Sequence, residues 1–453
     1  MSLLIYLLLA VLFIIITTAK FKLHPFLSLI FAAFGFGLMS GMPLAGIVDS
    51  VNDGFGGILR HIGIVIVAGT IIGVFLEKSG GAFTLAESVL KLTGRKNVPL
   101  AMSIVGYVVS IPVFCDSGFV ILSPLMKAMA KRAGITLASC AIALSLGLYA
   151  THAMVPPTPG PIAAAGILGA NLGFVILYGV IVSAVALLVG WLFAITVASR
   201  VYIDPAPDVT EEQIKEKIKH APNAFKSFIP ILAPMLLIVI NAIAKSLPED
   251  LVESINLNVH FNLVNLELLG FIGSPVVALL IGVLLAFLLP KKLEAQMLST
   301  TGWVGEALSS AAIIILITGA GGAFGKVLQN SGIADAIGGP LADMNIGIWL
   351  PFIIACGIKT AQGSSTVAIT TTAAIVHPLA AALGFDTPHQ LALVVVMIGA
   401  GSMFISHAND SYFWVVTQFS KMDVTTGYKL QSLGSVCEGV AAGITAWIIF
   451  LMV

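Results

Sequence analysis

Tyr149-Ala-Thr-His-Ala-Met-Val-Pro-Pro-Thr-Pro-Gly-Pro161 interrupts lipid-compatible sequence: an apolar run, Ser139 to Leu148, precedes it, and apolar residues resume at Ile162. Prolines 156, 157, 159 and 161 cannot sit inside one continuous helix, because each lacks an N–H and clashes with the preceding turn. Broken backbone at membrane depth is tolerated only where protein buries it or where it lines a wet cavity. The interrupted helices of transporters have this character, with half-helix ends facing a substrate or coupling ion.

Composition agrees. The 453 residues are 58% hydrophobic and 10% charged, with mean hydropathy +1.05. A soluble domain carries about 25% charged residues, so this chain reads as a polytopic membrane protein. Its 45 glycines suit close helix packing in lipid. Net charge is zero, which gives no reason to expect nucleic acid. Cys115, Cys140, Cys356 and Cys437 lie scattered in apolar segments without CxxC spacing and read as buried thiols rather than disulfides or metal ligands. Ser2–Thr18 has no basic flank before it and reads as a first transmembrane helix rather than a signal peptide.

Further spans are expected at Pro25–Met39, Ile62–Leu76, Leu137–Ala150 and beyond the break, Phe174–Ser199, Phe228–Ala244, Leu268–Leu289, Trp303–Gly319, Gln390–Ile405 and Leu433–Val453. Two pairs of apolar pieces are too short to span. Val98–Val113 and Phe119–Met129 meet at Phe114-Cys-Asp-Ser-Gly118, and Ile346–Ile358 and Thr366–Leu383 meet at Lys359-Thr-Ala-Gln-Gly-Ser-Ser365. Each pair reads as a re-entrant hairpin. With the N-terminus outside, all but Arg60, Lys245, Lys326 and Lys359 of the 22 basic residues fall inside, so both termini are expected in the periplasm. The first hairpin, bracketed by Arg95/Lys96 and Lys131/Arg132, then enters from the cytoplasm and the second from the other side.

Ala68–Gly80 aligns without a gap to Ala320–Gly332, six of thirteen positions being identical. Each copy precedes a hairpin, and each hairpin precedes a helix broken near a His-Ala pair, His152-Ala153 and His407-Ala408. The expected fold is an all-α polytopic membrane protein: an inverted repeat with two re-entrant hairpins and two discontinuous helices. Residues 1–199 form the first half, with its hairpin near 98–130 and broken helix near 137–171. Residues 200–227, with five basic and five acidic side chains between Arg200 and Lys226, form a cytoplasmic linker, and 228–453 the second half, with its hairpin near 346–383 and broken helix near 390–420.

The polar residues at the breaks are the candidate site. Asp116 at the first hairpin tip is a carboxylate at membrane depth, which is costly and so functional by default, and its neutral form could carry a proton. It could equally cap the helix that follows. Ser117 and Gly118 adjoin it. Lys359 is the one basic residue expected deep in apolar sequence: it either meets an anionic substrate or pairs with Asp116 or Asp410. Gln362-Gly363-Ser364-Ser365-Thr366 offers backbone N–H groups at a half-helix start, a carboxylate-binding device, unless its hydroxyls only satisfy freed backbone. His152 and His407 occupy matching places in the repeat and divide between packing and function; Thr158, Asn409 and Asp410 complete the set. Metal-ligand spacing is absent, and the glycines at Gly319–Gly325 lack the GK[ST] ending of a nucleotide loop. An ion gradient is then the expected energy source. His377, before Pro378, reads as structural, and Glu306 as interfacial.

Six motifs carry a resemblance: Lys20-Phe-Lys-Leu-His-Pro-Phe-Leu27, Ser40-Gly-Met-Pro43, Ile111-Pro-Val-Phe-Cys-Asp116, Val155-Pro-Pro-Thr-Pro-Gly-Pro161, Gly319-Ala-Gly-Gly-Ala-Phe324 and Gly363-Ser-Ser-Thr-Val-Ala368. Over essentially its whole length the chain resembles the gluconate:proton symporter (gluconate permease) family of the ion transporter superfamily. The resemblance implies proton-coupled uptake of gluconate, another sugar acid, glycerate or D-serine by a dimer in the bacterial inner membrane, with an elevator-type motion and no cofactor besides the proton gradient. Asp116, Asp410 and His407 then serve proton coupling, and Ser117, Gly118, His152, Thr158, Lys359, Gln362, Gly363, Ser364, Ser365, Thr366 and Asn409 line the substrate. Thr158 stands where relatives often have His, and Cys115 where they often have Phe. Two rivals stand beside this reading: a sodium-coupled carboxylate carrier using Asn409 and the broken-helix carbonyls, and a membrane enzyme or receptor using the intramembrane His and Asp groups.

Overall fold

The computed structural model describes residues 2–93, 97–205, 221–246, 266–333, 346–407 and 410–453, and among them every regular element is helical. Ala408, Asn409, the Arg95/Lys96 flank and most of the 200–227 linker lie outside the described residues.

The first half runs α1 (Ser2–Ala19), α2 (Pro25–Met39), α3 (Leu44–Lys78), α4 (Gly81–Thr93), the hairpin α5 (Val98–Val109) and α6 (Cys115–Ala133), the broken pair α7 (Leu137–Met154) and α8 (Pro159–Leu168), then α9 (Leu172–Thr196). The second half repeats the order: α10 (Ala224–Ser246), α11 (Leu266–Ile272), α12 (Pro275–Ala286), α13 (Trp303–Asn330), the hairpin α14 (Trp349–Gln362) and α15 (Ser365–Val376), the broken pair α16 (Pro388–Ser402) and α17 (Ser411–Phe419), and α18 (Val424–Phe450). This is the expected inverted repeat with two re-entrant hairpins and two discontinuous helices.

The repeated stretch folds the same way twice. It ends α3 and α13 on serines in helical geometry, Ser79 and Ser331, each followed by a left-handed glycine, Gly80 at φ +80° and Gly332 at φ +73°. Both helices exceed their expected spans, 35 residues against Ile62–Leu76 and 28 against Trp303–Gly319. Glycine does not stop them, because in lipid the intrahelical hydrogen bond has no competitor. They pack on each other so closely that a Cβ on Gly54 would fall 2.4 Å from the Gly322 carbonyl oxygen.

Proline and capping chemistry place the breaks. Val155 turns extended and closes α7; Pro159 and Pro161 then stand in the first turn of α8, where a missing N–H costs nothing. Asp410 caps α17, accepting from the Tyr412 N–H. At the tip of the second hairpin Gly363 has φ +94°, which turns the chain between α14 and α15. Across the first break α7 and α8 remain one 32-residue span, buried at every position but Gly166. Outward-facing leucines and isoleucines instead mark α10, where Leu232, Leu236, Ile240 and Ile243 form an exposed stripe at helical spacing.

Candidate functional site

The hairpin tips and broken helices bring Asp116, Lys359 and Asp410 into one polar cluster inside apolar protein. Lys359, on the last turn of α14, is fully buried, and its ammonium lies 2.7 Å from Asp410 Oδ2. It also donates to the Gly363 carbonyl and sits 5.7 Å from the Tyr149 ring centroid. Asp410 is 4% exposed and accepts further bonds from the Ser406 hydroxyl (2.6 Å) and the Tyr412 N–H (3.1 Å). A buried ion pair needs such extra donors, because Coulomb attraction alone rarely offsets desolvation.

Asp116 stands on the first turn of α6, within electrostatic reach of both members of that pair. Its Oδ2 is 3.5 Å from the Ser411 hydroxyl, and its buried Oδ1 has no hydrogen-bond partner among the described residues. The cluster therefore holds two carboxylates and one ammonium, and among the described residues Asp116 lacks a counter-charge of its own.

Tyrosines form the wall. The Tyr149 hydroxyl is 2.8 Å from Ser365 Oγ on the second hairpin and reaches the Ser402 carbonyl at 3.3 Å. Tyr412 packs on it at 5.3 Å between ring centroids and donates to the Ser145 carbonyl. His152 is buried against Phe114, feels the charges of Lys359 and Asp410, and leaves Nδ1 without a partner among the described residues. Among the described residues no three His, Cys, Asp or Glu side chains gather as a metal set.

A profile for GntP family permeases matches residues 2–453. The chain belongs to the GntP permease family. The gluconate permease of Pseudomonas aeruginosa is 36% identical over 423 residues, covering 92% of this chain and 90% of its own. The D-serine transporter DsdX of Escherichia coli is 32% identical over 440 residues, covering 96% and 95%. Among solved structures Neisseria gonorrhoeae MtrF superposes with TM-score 0.65 at 16% identity over 96% of both chains, a likeness of fold. This GntP permease is thus a multi-pass membrane transport protein, not an enzyme.

Several expected lining residues of the permease have other partners. Ser117 hydrogen-bonds Glu77 on α3. Gly118 packs on α7, where a Cβ would fall 2.7 Å from a Leu148 methyl. Thr158 donates back to the Val155 carbonyl at 2.6 Å. His407 Nε2 lies 2.8 Å from the Thr360 carbonyl of α14. The two histidines do not match in structure: His152 sits inside α7 before its break, whereas His407 lies within the longer second break. Ser364 caps α15 by accepting from the Val367 N–H, the Thr366 carbonyl accepts from the Thr370 hydroxyl, and Gln362 ends α14. Glu306 forms a surface ion pair with Lys78 at 3.0 Å.

The sequence reading passed over Tyr149, Tyr412, Ser406 and Ser411. The available signal was Tyr149, a hydroxyl at the end of a mainly apolar run nearly two turns before the prolines, since a buried tyrosine needs a partner for its O–H. A separate cavity of about 340 Å³ opens between α3, α8, α13 and the base of the second hairpin, lined by Asp53, Lys326, Gln329 and His377 among others.

Proposed function

We propose that this GntP permease is a proton-coupled symporter that takes gluconate, or a related small sugar or hydroxy acid anion, across the bacterial inner membrane. One observation carries the reading: the unpaired Asp116 carboxylate beside a Lys359–Asp410 pair that is already matched. With Asp116 ionised the cluster carries one net negative charge. An anion arriving alone would double it, whereas an anion arriving with a proton on Asp116 leaves it unchanged. The substrate carboxylate meets the start of α15, where the first-turn N–H groups of Ser365 and Thr366 and the positive end of the helix dipole favour an anion. Tyr149 and Ser365 offer hydroxyls to a polyhydroxylated chain. Gluconate as substrate rests on the named relatives, of which one is a D-serine transporter.

The two halves, 1–199 and 228–453, joined by a cytoplasmic linker at 200–227, pack differently on the α3–α13 frame. A Cβ on Gly73 would lie 2.3 Å from the Pro112 carbonyl at the first hairpin tip. Its repeat mate Gly325 lies beside Ala374, in the last turn of α15, eleven residues past the tip glycine Gly363. At 1.5 Å per residue that offset is about 16 Å. The second state exchanges the two packings, so hairpins and broken helices travel together along a fixed frame, as in an elevator. With both termini outside, the present state faces the cytoplasm. Assembly as a homodimer would hold the frame still in the bilayer, which the mass of the protein in lipid nanodiscs tests.

The experiment is uptake by the purified chain in liposomes with one gradient imposed at a time. An inward proton gradient alone is expected to drive gluconate accumulation. Accumulation driven only by sodium, or no gluconate movement under either gradient, would overturn the reading.

A further inference from the structure

A second carboxyl lies buried away from the Asp116 cluster. Glu438, on α18, is fully buried, and neither of its carboxylate oxygens has a hydrogen-bond partner among the described residues. Room for it comes from α9, where a Cβ on Gly190 would fall 3.5 Å from Oε1 and 2.9 Å from Leu146 Cβ of α7. The elements around it supply no counter-charge. α9 and α16 contain no Asp, Glu, Lys or Arg, and the titratable groups that feel Glu438 are the phenols of Tyr149 on α7 and Tyr412 on α17. Its own helix adds Cys437 beside it, its Tyr428 and Lys429 standing exposed about two and a half turns away, and α14 presents Cys356 and, beyond Tyr149, the already paired Lys359. A lone ionised carboxylate in such surroundings is costly enough that the group takes a proton instead.

The same face of α18 grips the second break. One turn before Glu438, Ser435 Oγ accepts the Ser406 N–H at 2.9 Å; Ser432 donates to the Ser406 carbonyl; and Ser406 holds Asp410 at 2.6 Å. Two turns before Glu438, Gln431 accepts from Ser145 at 2.7 Å and leaves its buried Nε2 without a partner among the described residues. Gln431 belongs to a π-turn, Tyr428–Ser432, a local winding frequent at functional sites. An unused donor thus lies on the same helix face as two unused acceptors, with the grip on Asp410 between them.

We propose that Glu438 is a second proton-binding carboxyl of the transport cycle: it holds a proton in the present state and releases it to water when α18 and the second break rearrange. The reaction is simple proton exchange, carboxylic acid to carboxylate, with the Gln431 amide free to solvate the anion. This rests on the proton symport proposed above and adds one proton per cycle to that of Asp116.

Infrared titration of the full-length protein in lipid tests the group without any substrate. A protonated carboxyl band is expected that bleaches reversibly as pH is raised from about 5 to about 9, that Glu438→Gln removes, and that Asp116→Asn leaves in place. Glu438→Asp should retain it at a shifted position, which guards against a Gln variant that merely misfolds. A band that persists across the range, or one indifferent to Glu438→Gln, overturns the proposal. In vesicles loaded with a pH dye, the ratio of protons to gluconate should fall by one in Glu438→Gln; an unchanged ratio also overturns it. If the native protein moves no gluconate, the symport reading fails on its own, and the infrared titration still decides whether Glu438 exchanges a proton.

Discussion

Asp116→Asn isolates the charge balance of the site. The amide keeps the size of the side chain and removes its charge, as protonation would. An anion bound about 6 Å from an ionised Asp116, at the effective dielectric of about 20 that fits buried sites, is opposed by about 3 kcal/mol. At 1.4 kcal/mol per tenfold, that is a penalty of about 100-fold in affinity. The native permease should therefore lose gluconate affinity, by up to this factor, as pH rises through the titration of Asp116. The substituted amide cannot ionise, so the variant should hold the acid-limb affinity at every pH. It should also lose accumulation, because no proton is carried with the anion at this position. Gluconate binding measured across pH, with uptake under an imposed proton gradient, reads both effects. A variant that still concentrates gluconate with the native pH dependence would refute the reasoning.

Lys359→Met should cost about 3–5 kcal/mol of stability by stranding Asp410 as an unpaired buried charge, and Lys359→Met with Asp410→Asn should recover much of the melting temperature while transport stays lost. Gly73→Val should arrest transport more than it lowers stability, because a Cβ there meets the Pro112 carbonyl at 2.3 Å; overpacking of this kind costs about 1–3 kcal/mol, and uptake compared with the melting temperature separates the two effects. Asp423 is exposed, outside the spanning segments, and caps the start of α18, where the backbone N–H of Thr426 holds its carboxyl below the ordinary range. A carboxyl lowered on folding adds stability above its unfolded pKa and loses it as pH falls through the folded one; Asp423→Asn should flatten that acid limb in melting temperature against pH.

The breaks were legible because proline and glycine act locally. Prolines 156, 157, 159 and 161 end one helix and start the next whatever surrounds them, and the Gly363-Ser364 tip announces its turn in the same way. The convergence of Asp116, Lys359 and Asp410 followed from placing three charges at membrane depth in a repeat whose halves face each other. Helical phase was harder to read. Ser117 follows Asp116 directly, yet about 100° of rotation sends it to Glu77 on the frame rather than into the cluster. The match of His152 with His407 failed because the second break is longer, which no pattern of residue types reveals. Glu438 was invisible as a site, since one acid in a final apolar run reads the same whether it faces lipid headgroups or a glycine on a neighbouring helix.

The two gaps in the helices differ in what keeps them open. Imino acids bar the first from ever annealing, so its unwound main chain is ready before any solute arrives and no ordering cost recurs with each turnover. The second contains no proline and is held through the side chains of Ser406, Asp410, Ser432 and Ser435, with a main-chain bond from the Asp410 N–H to the His407 carbonyl. Of the two, it is the half that can yield to an unfamiliar solute, and altered selectivity among descendants of this chain should arise there first.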